Sequence, residues 1–155
     1  MQIKQIVWIL ALATTVSGCS STYVIRATII DGAIAFVADT DFFGNPDCFG
    51  SIIVATDNGP SAGQGPNDDV SAVRRKVYWQ QMFASPSCEN SFPVKYGSRL
   101  SGPTFIFPDG ETGIVRAQPL ARGNTYSVFA ESSGSAYGGG KFRITEEGRV
   151  INLPL

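Results

Sequence analysis

The chain has no histidine among its 155 residues. That removes the commonest general base and the commonest transition-metal ligand. Serine or cysteine nucleophiles paired with histidine go with it, as do zinc sites built on imidazole. Carboxylate, lysine or tyrosine chemistry is all that remains, and we predict no catalytic residue, no metal ligand and no cofactor. An excess of charge of either sign is also missing, with 12 basic and 13 acidic residues. General attraction to nucleic acid or to anionic lipid is therefore not expected, and nucleic acid is not a predicted partner. Cysteine is scarce, at three residues. Spanning a bilayer as a helix takes an apolar run of roughly 18 residues or more, and the apolar stretch 6–16 stops short of that at Ser17 and Gly18. After it, no segment of useful length has helical periodicity, and no repeat of fixed period is evident.

What is present begins with a leader. Residues 1–18 carry one charged side chain, Lys4, then the apolar stretch and a small pair, the composition of a secretory signal. Its end, Val16-Ser17-Gly18-Cys19, resembles the lipobox of bacterial lipoproteins. The resemblance implies cleavage before Cys19, a diacylglyceryl thioether on its sulfur and an acyl group on its new amine, so that the membrane becomes a partner through an N-terminal lipid anchor. Several acyl chains hold a protein far more stably than one. In Gram-negative lipoproteins a serine after the lipidated cysteine implies sorting to the outer membrane, and Ser20 fits a periplasm-facing protein there. The expected organisation is a signal peptide, 1–18, and one lipid-anchored domain, 19–155. With Cys19 assigned to lipid, Cys48 and Cys88 remain as an even pair in an oxidising compartment, and a disulfide between them is expected. Closing that loop of about 40 residues stabilises the fold by roughly 3 to 4 kcal/mol in the chain-entropy model.

Seventeen glycines and nine prolines, spread among β-branched and aromatic residues, predict many short strands joined by turns. Residues 22–30 and 33–38 are β-prone runs linked by Asp31-Gly32, which supplies the positive φ a tight hairpin demands. Tyr23, Ile25 and Ile29 share one face of the first run, as Ile34 and Phe36 do of the second. Residues 51–56, SIIVAT, read as a strand buried on both sides, and 57–69 as a surface loop or a binding loop. From Val73 the pattern alternates, with Arg74, Lys76, Tyr78 and Gln80 on a wet face and Arg74-Arg75-Lys76 as solvated edge charges. Short strands are predicted at 94–96, 104–107 and 113–117, with a turn at Pro108-Asp109-Gly110. Residues 125–131, 141–145 and 149–153 read as a β-meander.

Leu120-Ala121-Arg122-Gly123-Asn124-Thr125-Tyr126-Ser127-Val128 resembles the L-x-P-G-x-x-Y-x-V stretch of fibronectin type III and related immunoglobulin-like domains, with Arg122 where that family has proline. The resemblance implies a tyrosine corner, in which the hydroxyl of Tyr126 bonds back to upstream backbone while its ring packs in the core. The expected fold class is all-β, a single antiparallel β-sandwich of immunoglobulin-like or transthyretin-like type.

Other constellations point to structure before chemistry. Tyr137-Gly138-Gly139-Gly140-Lys141 lacks the spacing of a phosphate-binding loop, and its glycines suggest a bulge or a close backbone approach. Asp39, Asp41, Asn45 and Asp47 could be read as a calcium loop, but Phe42 and Phe43 interrupt the ladder and no bidentate glutamate closes it. Glu146-Glu147 and Asp68-Asp69 are neighbours that face opposite ways in a strand or turn, a poor acid and base couple. Tyr78, Tyr137, Phe42 or Phe43 could stack on sugars if exposed. The expected function is that of a non-catalytic envelope interaction or structural module with a protein or glycan partner; a carbohydrate-binding module is the alternative, and a carboxylate-dependent hydrolase a third.

Overall fold

The computed structural model describes residues 22–39, 48–59, 65, 67–84, 89–132 and 136–155. The expected signal peptide 1–18, Cys19 and Cys88 lie outside them, as do Asp41, Phe42, Phe43, Asn45 and Asp47. Construction begins at the hairpin. Asp31 and Gly32 both adopt positive φ, 50° and 75°, a geometry that matches the right-handed twist of paired strands. β1 (Thr22–Ile30) and β2 (Ala33–Asp39) consequently pair without interruption from Ile30↔Ala33 to Val24↔Asp39. The remaining elements are β3 (Ser51–Thr56), a helix α1 (Val70–Arg74), β4 (Val77–Gln81), β5 (Val94–Lys95), β6 (Ile114–Val115), β7 (Thr125–Glu131), β8 (Tyr137–Ile144) and β9 (Val150–Leu153). Among the described residues no helix is long and apolar enough to cross a membrane.

The all-β expectation holds, but these strands are joined in one curled, mixed sheet and not in two separate antiparallel ones. Its order is β5-β2-β1-β8-β7-β3-β4-β6, with β9 also paired to β8. The link that joins what would be two layers is parallel, Thr22↔Tyr137 to Val24↔Gly139. Curling follows from the side chains. Phe36 on β2 and Trp79 on β4 have four strands between them in hydrogen-bond order, yet their rings stack at 6.4 Å. Phe36, Trp79, Tyr126, Phe142 and Phe49 fill the concave side and are essentially inaccessible to solvent. Each such burial is worth about 1.5 to 3 kcal/mol relative to exposure. Tyr126 stacks on Phe142 at 5.6 Å, and its hydroxyl accepts from the Ala121 N–H at 2.8 Å and donates to the Ala121 carbonyl at 3.3 Å.

The three glycines lie inside β8, not before it, and the expected close backbone approach is what they provide. A Cβ on Gly138 would enter the ring of Tyr23, and one on Gly140 would lie 1.9 Å from the carbonyl oxygen of Ile25. At that point β1 leaves β8 and β9 takes over its edge, from Lys141↔Leu153 to Ile144↔Val150. Asn152 of β9 spans the divergence: its side-chain amide accepts from the Ala27 N–H at 2.8 Å and donates to the Ala27 carbonyl at 2.9 Å. The meander β7-β8-β9 matches the sequence reading, as do the turns at Gly110 and Gly148.

Two expectations are corrected around β4. Arg74 ends a helix, Arg75 caps it and Lys76 turns with φ 64°, so the three cations do not open a strand. Nor is one face of β4 wet, since Tyr78 and Gln80 are 5% and 1% exposed. Tyr78 turns into the main core, edge-on to Tyr126 at 5.6 Å, and Gln80 is bonded to Asp69 of the α1 cap, while α1 presses a second apolar cluster, Ala72, Val73, Val77 and Val115 with Ile53 and Ala55, onto the convex face of β3 and β4. The same cluster half-covers the outer side of SIIVAT, where Ile53 and Ala55 are only partly buried, so the strand is fully buried on one face and not on both as expected. Ile29, assigned to the core face, is 50% exposed near the hairpin tip.

Candidate functional site

A groove of about 610 Å³ runs beside the β4–β6 edge of the sheet. Trp79 and Phe83 come from β4 and its extension, Ile114 to Ala117 from β6 and the residues after it, and Arg99, Leu100 and Thr104 from the loop facing them. Long-range pairing makes this wall. Gln80↔Val115 and Gln81↔Ile114 bring β6 onto β4. The Gln81 side chain then fixes the loop, donating to the Ser98 carbonyl at 2.8 Å and accepting from the Leu100 N–H at 3.0 Å. Buried Asn90 holds Ser101 in the same two-way manner, at 2.8 Å for each bond. A loop held by paired amide bonds of this kind is pre-organised, which lowers the cost of ordering on binding.

Among the described residues, two cations and no acid line the groove. Arg99 is exposed at its mouth. Arg116 is 59% exposed and sits 3.8 Å, Nε to Oδ1, from Asp68, whose side chain is 1% exposed. Asp68 also accepts from the Arg116 backbone N–H at 3.2 Å and the Gly65 N–H at 2.6 Å, so a buried carboxylate sets the direction of the chain at this wall. Guanidinium groups present a rigid planar fork suited to carboxylate or phosphate. Above an apolar floor of Trp79, Phe83 and Leu100, the arrangement suits an anionic group carried on an apolar or extended body.

Beneath the floor, Trp79 meets Tyr96 edge-on at 5.3 Å. The Tyr96 hydroxyl reaches the carbonyls of Gln118 at 2.7 Å and Tyr78 at 3.1 Å, tying β4 to the segment after β6. Burial pushes its phenol well above the ordinary 10.0, and Tyr23 and Tyr78 are raised for the same reason. Raised folded-state values mean that the native state keeps these protons after the unfolded chain has lost them. Stability is therefore full below pH 10 and falls as pH rises above it through the raised values. Chemical denaturation between pH 8 and pH 12 should show the fall, and Tyr96→Phe should shrink it; an unchanged slope in that variant would remove Tyr96 from the account.

Several residues singled out in the sequence are accounted for differently. Tyr78 is buried and cannot stack on a sugar, whereas Tyr137 is 41% exposed and its ring stacks on Phe129 at 6.0 Å. Asp39 pairs with Arg26. Asp68 and Asp69 are buried, and their oxygens accept from backbone and from the Gln80 amide. Glu146 and Glu147 lie exposed on the β8–β9 turn. Among the described residues no three Cys, Asp or Glu side chains come together as a metal site would require. Cys48 is buried and disulfide-bonded. Arg99 and Arg116 were not legible as a pair, because 17 positions separate them and only the β4–β6 pairing and the Gln81 clamp bring them to one groove. The chain matches no family model, no curated protein and no solved structure.

Proposed function

We propose that this chain is a non-catalytic envelope lipoprotein, anchored through Cys19 to the outer membrane and facing the periplasm, whose body binds an acidic, partly apolar segment of a partner in the Arg99–Arg116 groove. The observation that carries the binding reading is the charge of that groove: two exposed guanidinium groups, Arg99 and the Asp68-paired Arg116, with no carboxylate among the described lining residues and an aromatic floor, on a protein with no net excess of basic residues. The finer fold reading is an immunoglobulin-like sandwich. In its support, β1, β2 and β5 follow the A-B-E order and β8, β7, β3 and β4 the G-F-C-C′ order, while the Tyr126–Ala121 bonds have the form of a tyrosine corner. A Cys48–Cys88 disulfide belongs to the same proposal, supported by the bonded state of Cys48.

Titration of the labelled protein with acidic, neutral and basic peptides, followed by nuclear magnetic resonance, tests the groove. Acidic peptides should shift Arg99, Leu100, Thr104 and Arg116, the effect should weaken with salt, and Arg99→Glu with Arg116→Glu should abolish it. Shifts at Tyr137 and Phe129 on adding glycan fragments, with none in the groove, would favour a carbohydrate-binding module instead. Metabolic labelling with palmitate tests the anchor, and Cys19→Ala should lose all label; an unlabelled wild-type chain would end the lipoprotein reading.

A further inference from the structure

The sheet has a defined lower end. The start of β1, the end of β7 and the start of β8 meet there, since Thr22 pairs with Tyr137 and Tyr137 with Glu131. β9 runs back toward the same end, bringing Leu155 beside Thr22 and Tyr137 around a shallow hollow of about 370 Å³. Four of the large apolar side chains that the fold leaves in water collect at this place: Val24 at 42% exposure, Phe129 at 42%, Tyr137 at 41% and Leu155 at 81%. Nothing in the packing of the core calls for them. They stand on the convex side or at the chain end, away from the Phe36–Trp79–Phe142 interior.

The patch sits where the chain enters the fold. From Cys19 to Thr22 there are three Cα-to-Cα steps, which reach at most roughly 11 Å when fully extended. The interfacial layer of a bilayer is about 5 to 8 Å deep on each side. A lipid on Cys19 therefore holds the start of β1 within a few ångströms of the headgroups even when the linking residues are fully extended. The geometry points to a specific seat: the Val24–Phe129–Tyr137–Leu155 patch rests in the interface of the bilayer that holds the Cys19 acyl chains, so the body docks on the membrane end-on. This rests on the lipoprotein reading above and adds an orientation to it. Tyrosine, with an apolar ring and a polar hydroxyl, is suited to that depth. Of the charges beside the patch, Asp39 is already paired with Arg26, and Glu131, exposed opposite Tyr137, would stand at the level of the headgroups. Ile29, about 17 Å beyond Val24 along β1 at the strand rise, would stand out of the interface, and the lateral Arg99–Arg116 groove would stay open to a partner.

The test uses the processed, acylated protein, residues 19–155, in phosphatidylcholine vesicles with brominated acyl chains. Tyr137→Trp places a reporter in the patch and Ile29→Trp one at the opposite end, with buried Trp79 as a shared background. Tryptophan at 137 should shift to shorter wavelength and be quenched several-fold more than tryptophan at 29. Leu155→Asp, at an exposed chain end where folding is not at stake, should abolish that difference while the protein stays on the vesicles. Mass analysis of the N-terminal peptide separates the two ideas: an unmodified Cys19 overturns both the anchor and the seat, whereas an acylated Cys19 with equal quenching at 137 and 29 overturns the seat alone.

Discussion

Gly140→Ala should cost more than about 3 kcal/mol, or prevent folding outright, although alanine is ordinarily the smallest change a strand can accept. The added carbon would lie 1.9 Å from the carbonyl oxygen of Ile25 and 2.9 Å from its carbon, both backbone atoms that no rotamer change can move. Relief requires β1 to separate from β8, and that contact is the one joining the β5-β2-β1 strands to the rest of the sheet. The two bonds from Asn152 to Ala27 lie in the same gap and would be pulled out of reach. Gly139 next to it provides the control. A Cβ there would meet only the Val128 carbonyl, at 3.9 Å, so Gly139→Ala should change stability by less than about 1 kcal/mol. Urea unfolding of both variants, with hydrogen exchange at residues 24–27, measures the contrast. Equal stability of the two would mean that β1 does not bear on Gly140 as described.

This junction shows what the sequence could and could not convey. Three consecutive glycines announce a close approach, because only their lack of a side chain distinguishes them, but they do not say which backbone comes near. That partner, Ile25, is more than a hundred positions away and is chosen by the closure of the sheet. Local signals fared well wherever the cause is local: Asp31-Gly32 fixes a hairpin through its own φ angles, and the alternation of 125–131 marks an inward face because successive side chains oppose each other. The β4 region failed for the complementary reason. Tyr78 and Gln80 alternate with Val77 and Trp79 as though solvated, yet Tyr78 packs on Tyr126 in the main core and Gln80 is bonded to Asp69 of the α1 cap and pairs with Val115 of β6. The candidate groove, being made of loop, β4 and β6 together, inherits that illegibility. Neither arginine carries a local mark of its role.

Asp69→Ala should lower stability by about 2 to 4 kcal/mol, through two losses that can be separated. Asp69 is 2% exposed and caps α1, its Oδ1 accepting from the Ala72 N–H at 2.9 Å, and removing an N-cap costs typically about 1 kcal/mol. Its Oδ2 accepts from the Gln80 amide at 3.0 Å, and Gln80 is 1% exposed. Alanine at 69 would leave that amide buried without its acceptor, a further penalty of about 1 to 3 kcal/mol. In a Gln80→Leu background only the cap remains to be lost, so Asp69→Ala should there cost about 1 kcal/mol. An equal cost in both backgrounds would refute the coupling. The consequence for binding follows from the backbone at the same residue. The Asp69 N–H donates to the Ile114 carbonyl at 2.8 Å, and its neighbour Asp68 holds the Arg116 N–H. Both bonds position the β6 wall of the groove. Asp69→Ala should therefore weaken acidic-peptide binding by more than its distance from the guanidinium groups would suggest, even at temperatures where the variant is fully folded. Asp69→Asn, which keeps the capping oxygen but sets an N–H donor against the Gln80 amide, should recover only the cap's share of stability, about 1 kcal/mol.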